Sequence, residues 1–336
     1  MTTFPRRAGL AGVPANVLAI VLATVLGAVL AGCGGTGSGP AAERTFQPVR
    51  PQGVRDPAQI PSSSANGAGA DCDPLASLRP SGSLPQPGAM PAGSTMAAIA
   101  ARGRLVVGVN QNTFLFGYRD ATTGQIVGFD VDIAREVARA IFGDPNNVQL
   151  IATTSAQRIA YVKSGQVDIV ANTMTMNCDR WKDVNFSTDY YDAGQRVLVP
   201  SSSAIKGIDD LAGKKVCAAA GSTSIGNIAA AKSKPIPVSV RDWTDCLVLL
   251  QQGQVDAIST DDTILAGLAK QDPTTKLVGA PFTNEPYGLA INKNATDFTR
   301  FVNGVLARMR SDGTWAAIYT RWLGGSATPP AARYQD

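Results

Sequence analysis

The chain of 336 residues contains no histidine. That excludes Ser-His-Asp and Cys-His nucleophile machinery, His-ligated zinc and the usual proton shuttle near neutral pH. An enzyme made from this chain would have to work through Asp, Glu, Lys, Tyr or Cys. Charge is sparse as well: 30 Lys and Arg stand against 26 Asp and Glu, a formal surplus of +4. So small and evenly spread a surplus argues against nucleic acid as a partner. The five cysteines form no C-x-x-C pair, so no zinc signature is present and no metal or cofactor is expected. What remains is 44% hydrophobic, a composition that reads as globular, with length for one or two domains.

The one long apolar run, Val17 to Leu30, follows Arg6 and Arg7 and is short for a bilayer span. A basic start and an apolar stretch of this length read as a secretory signal. It ends in Leu30-Ala31-Gly32-Cys33, which resembles the lipobox of bacterial lipoproteins. The resemblance implies cleavage after residue 32 and a lipid on Cys33; an ordinary signal peptide with a chance cysteine is the alternative. Cleavage there leaves 28 basic against 26 acidic side chains, +2. Attachment to the membrane, outside the cytoplasm, would then rest on the acyl chains.

Ten of the 21 prolines lie between Pro40 and Pro91. Residues 33–95 therefore read as a lipidated cysteine on a mostly disordered, Pro/Gly/Ser-rich tether. Strand and helix signals begin near Thr95 and alternate from there: Leu105–Val109, Val131–Ile141, Val148–Ala152, Ala156–Lys163, Asp168–Asn172. Asp130 stands where it would cap the first of these helices. The alternation resumes at Lys215–Ala219 and runs through Pro237–Val240, Thr244–Gln251, Asp256–Ser259 and Thr263–Lys270. It predicts an α/β fold with mostly parallel sheets. A weak repeat adds to this. Gly165-Gln166-Val167-Asp168 and Gly253-Gln254-Val255-Asp256 each join a helix to a strand, 88 residues apart. Two similar lobes would put a cleft beyond the carboxyl ends of their strands.

Several segments then resemble one family in order and spacing. They are Gly128-Phe129-Asp130-Val131-Asp132-Ile133-Ala134, the stretch from Asp168 through Thr173, Thr175 and Asp179-Arg180, Asn185-Phe186-Ser187, Tyr190-Tyr191, Gly221-Ser222-Thr223, Asp256-Ala257, Asp261 and Tyr287-Gly288. They are similar to the family 3 extracellular solute-binding proteins, receptors for polar amino acids, from about Leu105 to Leu323. The lipobox, proline-rich tether and four further cysteines look most like the glutamine-binding lipoproteins of actinobacteria. The resemblance implies a two-lobed, type II periplasmic-binding-protein-like fold with two hinge strands. Lobe 1 would comprise 96–190 plus 288–323, lobe 2 191–287, and 324–336 would be a tail. It also implies a monomer that gives its ligand to an ABC permease or reports to a membrane sensor.

A free amino acid carries two fixed charges, and each must be paired to leave water. The resemblance assigns Arg180 to the α-carboxylate, a task that suits a guanidinium fork. Thr175 and Thr173 would add contacts from the same loop, and Ser222 and Thr223 would bind the carboxylate at a helix start. Asp261 would pair with the ammonium, unless it serves as a helix cap. Arg158 would reach a side-chain carboxylate, which favours aspartate or glutamate with asparagine or glutamine tolerated; a solvated helix face is the alternative. Trp243 would lie over the ligand or in the core, and Asn110 and Phe116 would line the pocket. Of the three pairings open to the remaining cysteines, positions on one strand and one helix of lobe 2 favour Cys217 with Cys246. That leaves Cys72 with Cys178. An enzyme such as a dehydratase on the same scaffold is the competing class, but the acids of these motifs are assigned to ligand pairing.

Overall fold

Short, mostly apolar strands and the helices between them build two five-stranded sheets of one plan. A computed structural model describes residues 48–60 and 72–336. The expected signal segment and Cys33 lie outside the described residues. The chain divides into Met1–Gln47 and Pro48–Asp336, and everything below belongs to the second unit.

In the first sheet the order is β6 (Val148–Ala152), β2 (Leu105–Val109), β7 (Ile169–Ala171), β16 (Ala290–Asn292), β8 (Val184–Phe186). In the second it is β12 (Ile236–Val240), β11 (Lys215–Ala219), β13 (Ala257–Asp261), β10 (Gln195–Pro200), β14 (Thr275–Val278). Three strands of each sheet are parallel. The fourth strand in each order, β16 or β10, arrives from the hinge and runs antiparallel to both neighbours. The chain crosses between lobes twice, through the antiparallel pair β9 (Tyr191–Ala193) and β15 (Glu285–Tyr287).

The internal repeat is structural. Gly165 and Gly253 take left-handed φ of 74° and 66°, ending a helix in each lobe. Asp168 then accepts the Val106 N–H at 2.7 Å, and Asp256 accepts that of Lys215 at 2.8 Å. In each lobe the aspartate fixes the neighbouring parallel strand at its start.

Helices α1 (Thr95–Arg102), α2 (Phe129–Phe142), α8 (Thr296–Ser311) and α9 (Thr314–Leu323) cover the first sheet. Phe129, Ile133, Phe301, Leu306 and Trp315 are buried in that core, with Tyr319 and Trp322 at its margin. The second sheet is covered by α5 (Thr223–Ala230), α6 (Trp243–Gln251) and α7 (Asp262–Gln271). Two shorter helices, α3 (Arg158–Lys163) and α4 (Cys178–Trp181), follow strands of the first lobe. A small sheet of β3 (Asn112–Thr113), β4 (Gly117–Arg119) and β5 (Ile126–Val127) extends from it.

Asp130 does not cap α2. Gly128 stands at the cap with φ 140°, where a Cβ would lie 2.2 Å from the Phe116 carbonyl oxygen. Asp130 is instead buried in the first turn, with other partners.

The tether also departs from its composition. Arg55 exchanges two backbone hydrogen bonds with Ser239 on the edge of β12, and the Ala58 N–H donates to Pro237 O. Val54, Ala58 and Ile60 pack on the second core, and Lys215 pairs with Asp56 at 2.7 Å. Further on, β1 (Ala76–Ser77) runs parallel to β17 (Arg333–Tyr334) of the C-terminal tail. Ser77 is fully buried, and Trp181 Nε1 donates to Pro74 O. Segments poor in apolar residues are thus held by a sheet edge and by backbone hydrogen bonds. The structure joins Cys217 to Cys246 and Cys72 to Cys178, the pairing favoured from the sequence. Among the described residues no helix is long and apolar enough to cross a membrane, and no cluster of acids and cysteines could hold a metal ion.

Candidate functional site

The loops after the parallel strands of both sheets meet beside the hinge ribbon. Gly221, after β11, comes so close to the start of α3 that a Cβ on it would lie 2.6 Å from Ala156 Cα. Arg158 and Arg180 both donate to Gly221 O at 3.3 Å. Thr175 and Thr223 face each other with oxygens 3.4 Å apart. A cavity of about 350 Å³ opens at this junction, lined by Ile159, Asn177 and Arg180 from one lobe and Gly221, Ser222 and Thr223 from the other.

The two arginines are buried, and burial lowers the pKa of both. For Arg158 burial and the neighbouring Arg180 push it down to about 9. Arg180 donates to Thr175 O at 2.6 Å, and its own N–H is capped by Asn177 Oδ1 at 2.9 Å. Arg158 donates from Nε to Ser155 O, from Nη1 to Asn172 O and Thr173 O, and from Nη2 to Gly221 O. Four of the five N–H groups on a guanidinium are therefore spent on carbonyls. The fork expected to meet a ligand carboxylate instead ties three loops together.

Acids face them. Asp261 ends β13 and is buried. Its Oδ2 accepts the Tyr287 hydroxyl at 2.6 Å, and its Oδ1 has no partner. Burial, with Glu285 nearby, raises its pKa well above the usual carboxylate range. Glu285, on the hinge strand, is fully buried. Oε2 accepts the hydroxyls of Thr175 at 2.6 Å and Thr223 at 2.8 Å; Oε1 accepts Asn227 at 3.1 Å and Thr283 at 2.8 Å. Asp130 accepts the Thr173 N–H at 2.7 Å and the Tyr190 hydroxyl at 2.8 Å, and burial pushes its pKa up to about 7. Glu285, Tyr287 and this role of Asp130 were missed from the sequence. An acid two residues before Tyr287-Gly288, in an otherwise uncharged hinge segment, was the available signal.

Other expected residues serve differently. Phe116 is a core residue: its ring lies 5.5 Å from Phe129, 5.1 Å from Tyr191 and 6.1 Å from Tyr287. The sequence put it in the pocket because loop residues are usually accessible, but Gly117 and Gly128 let this loop fold flat on the core. Ser222 borders the cavity, but its hydroxyl caps α5, accepting from Ile225 N–H and donating to Ala219 O at 2.7 Å. Asn110 is buried and accepts the Asn112 N–H at 2.7 Å. Trp243 is buried in the second core at the start of α6, a helix that also packs on β3 of the other lobe.

Six buried side-chain polar atoms among the described residues lack a hydrogen-bond partner. Four of them belong to Thr113, Asn172, Trp243 and Asp261 on the segments flanking the cleft. Buried groups of this kind are normally satisfied, so their concentration here points to a polar ligand. The arrangement offers a guanidinium, an unpaired carboxylate oxygen and the free N–H groups of a helix start, the complement of a zwitterion.

The model of the bacterial extracellular solute-binding proteins, family 3, matches residues 105–325, and the chain belongs to this family. It is 39% identical over 230 residues to the ABC transporter glutamine-binding protein GlnH of Bacillus subtilis, covering 68% of this chain and 84% of that one. It is 33% identical over 249 residues to the glutamate-binding protein GluB of Corynebacterium efficiens, covering 69% and 83%. Among solved structures, an ancestral arginine-binding protein bound to glutamine superposes with a TM-score of 0.63 at 33% identity, covering 67% of this chain and 99% of that one.

Proposed function

We propose that the chain is a lipid-anchored extracytoplasmic receptor that captures a polar amino acid by closing two lobes on it and delivers it to an ABC permease. The observation that carries this reading is that one lobe brings Arg180, which donates across the junction to Gly221 O, and the other brings a buried Asp261 whose Oδ1 has no hydrogen-bond partner. Arg180 would bind the α-carboxylate with the N–H groups of Thr223 and its neighbours, and Asp261 the α-ammonium. Groups from both lobes contact the ligand together only when the lobes are shut, so the ligand favours the closed state. Lipid on Cys33 would hold the receptor at the membrane.

The ligand we propose is glutamine, in place of the aspartate or glutamate favoured from the sequence. Arg158 has most of its donors committed to carbonyls, so a side-chain carboxylate would lack its expected partner. The resemblance to GlnH of Bacillus subtilis supports the same choice. No catalytic role is proposed, since the buried acids are engaged with Tyr287, Tyr190 and the two threonines. A thermal-shift screen against the twenty amino acids tests the reading. A ligand at a hundred times its Kd adds about 2.7 kcal/mol, so glutamine should raise the midpoint by several degrees. A flat response to all twenty would refute it.

A further inference from the structure

Glu285 is the one acid of the cleft region that sits on the hinge ribbon, and it touches both lobes. Its Oε2 holds the Thr175 hydroxyl of lobe 1 and the Thr223 hydroxyl of lobe 2, at 2.6 and 2.8 Å. All four groups that reach the carboxylate are donors, so it acts as an acceptor throughout. The charged side chains gathered here are Arg158 and Arg180 against Asp261 and Glu285. Glu285 is coupled by charge to Arg180 and to Asp261. Two guanidiniums thus face these two carboxyls, and Asp130 beside Arg158 and Asp262 beside Asp261 add acid rather than base. At the mouth of the cavity Lys182 is already paired with Asp179, at 2.7 Å.

We infer that Glu285 is a specificity-determining residue: its carboxylate offsets the positive charge of the two arginines, so that the site accepts an amino acid of zero net charge and rejects an acidic one. It does this without touching the ligand side chain. A zwitterion with an amide side chain adds no net charge. A glutamate brings one further negative charge into a closed site where Arg180 is assigned to the α-carboxylate and Arg158 has most of its donors on carbonyls, and an uncompensated buried charge is strongly disfavoured. The hydroxyl protons of Thr175 and Thr223 are also committed to Glu285. Their lone pairs are what they can offer the ligand, which suits the ammonium rather than another carboxylate.

The inference rests on the receptor reading, and the test separates the two. Glutamine and glutamate are titrated calorimetrically into the full chain, the Glu285→Gln variant and the Glu285→Asp variant. The wild type should bind glutamine at least tenfold more tightly than glutamate. Glu285→Gln, which keeps the shape and removes the charge, should shrink that ratio at least tenfold. Glu285→Asp, which keeps the charge, should retain it. A folded Glu285→Gln protein with an unchanged ratio would overturn the inference, as would loss of the preference in Glu285→Asp. If Glu285→Gln does not fold, the wild-type ratio and Glu285→Asp still decide. Equal binding of the two ligands by the wild type overturns the inference and leaves the receptor intact. Binding of neither overturns the receptor reading and the inference with it.

Discussion

Thr173 adopts φ 38°, a left-handed conformation that costs a β-branched residue about 1–3 kcal/mol. Two contacts hold it there: Asp130 accepts its N–H at 2.7 Å, and Arg158 donates to its carbonyl at 3.3 Å. The strained residue bends the loop that carries Thr175 toward Arg180. Asp130 has a consequence for pH. Its pKa is raised from 3.8 to about 7, by burial, against the pull of Tyr190, Thr173 and Arg158. A carboxyl raised on folding stabilises the native state fully below its unfolded pKa, and that contribution is lost as pH rises through about 7. Asp189, raised to about 8, acts in the same direction. Denaturant unfolding should therefore show lower stability at pH 8 than at pH 5, with about 2–3 kcal/mol of the loss due to Asp130. In Asp130→Asn the fall should be smaller by that amount. An identical fall in the variant would mean that Asp130 is ionised without penalty.

At the scale of elements, the contact that lets the lobes meet is a backbone approach. Gly221, with φ 78°, precedes α5, and a Cβ there would stand 2.6 Å from Ala156 Cα and 2.9 Å from Ala156 N. Backbone cannot move aside as a side-chain tip can. Gly221→Ala should thus keep each lobe folded but block full closure, lowering affinity at least a hundredfold with little change in the melting of the ligand-free protein. Wild-type affinity in this variant would place the ligand outside the closed cleft. The elements themselves were legible. Leu105–Val109, Val148–Ala152 and Lys215–Ala219 stand as read, because each is a short, mostly apolar run too brief for a buried helix. The repeated Gly and Asp pairs marked the same joint in both lobes. The order of residues 48–60 and 72–95 was not legible. Their hold comes from an edge of β12, a partner strand from the chain's last residues and a disulfide to Cys178, none of which local composition encodes. Asp130 misled for a similar reason: a carboxylate before a helix reads as a cap until the tertiary neighbours, Tyr190 and Thr173, are known.

In the molecule as a whole, the candidate site belongs to neither lobe. Arg180 and Thr175 stand on lobe 1, Thr223 and Asp261 on lobe 2, and Glu285 and Tyr287 on the ribbon between them. Sequence reading named those carried by family motifs as candidates, and it overlooked Glu285 because its partners lie 110 and 62 residues away. It over-weighted Arg158, whose committed donors appear only when three loops converge. The most direct test of capture between the lobes is calorimetric titration of glutamine into the wild type, Arg180→Ala and Asp261→Ala, each first checked for folding. The wild type should bind, and each variant should lose at least a hundredfold in affinity while its ligand-free melting curve stays that of a folded protein. Unchanged affinity in either variant would contradict the assignment of the cleft.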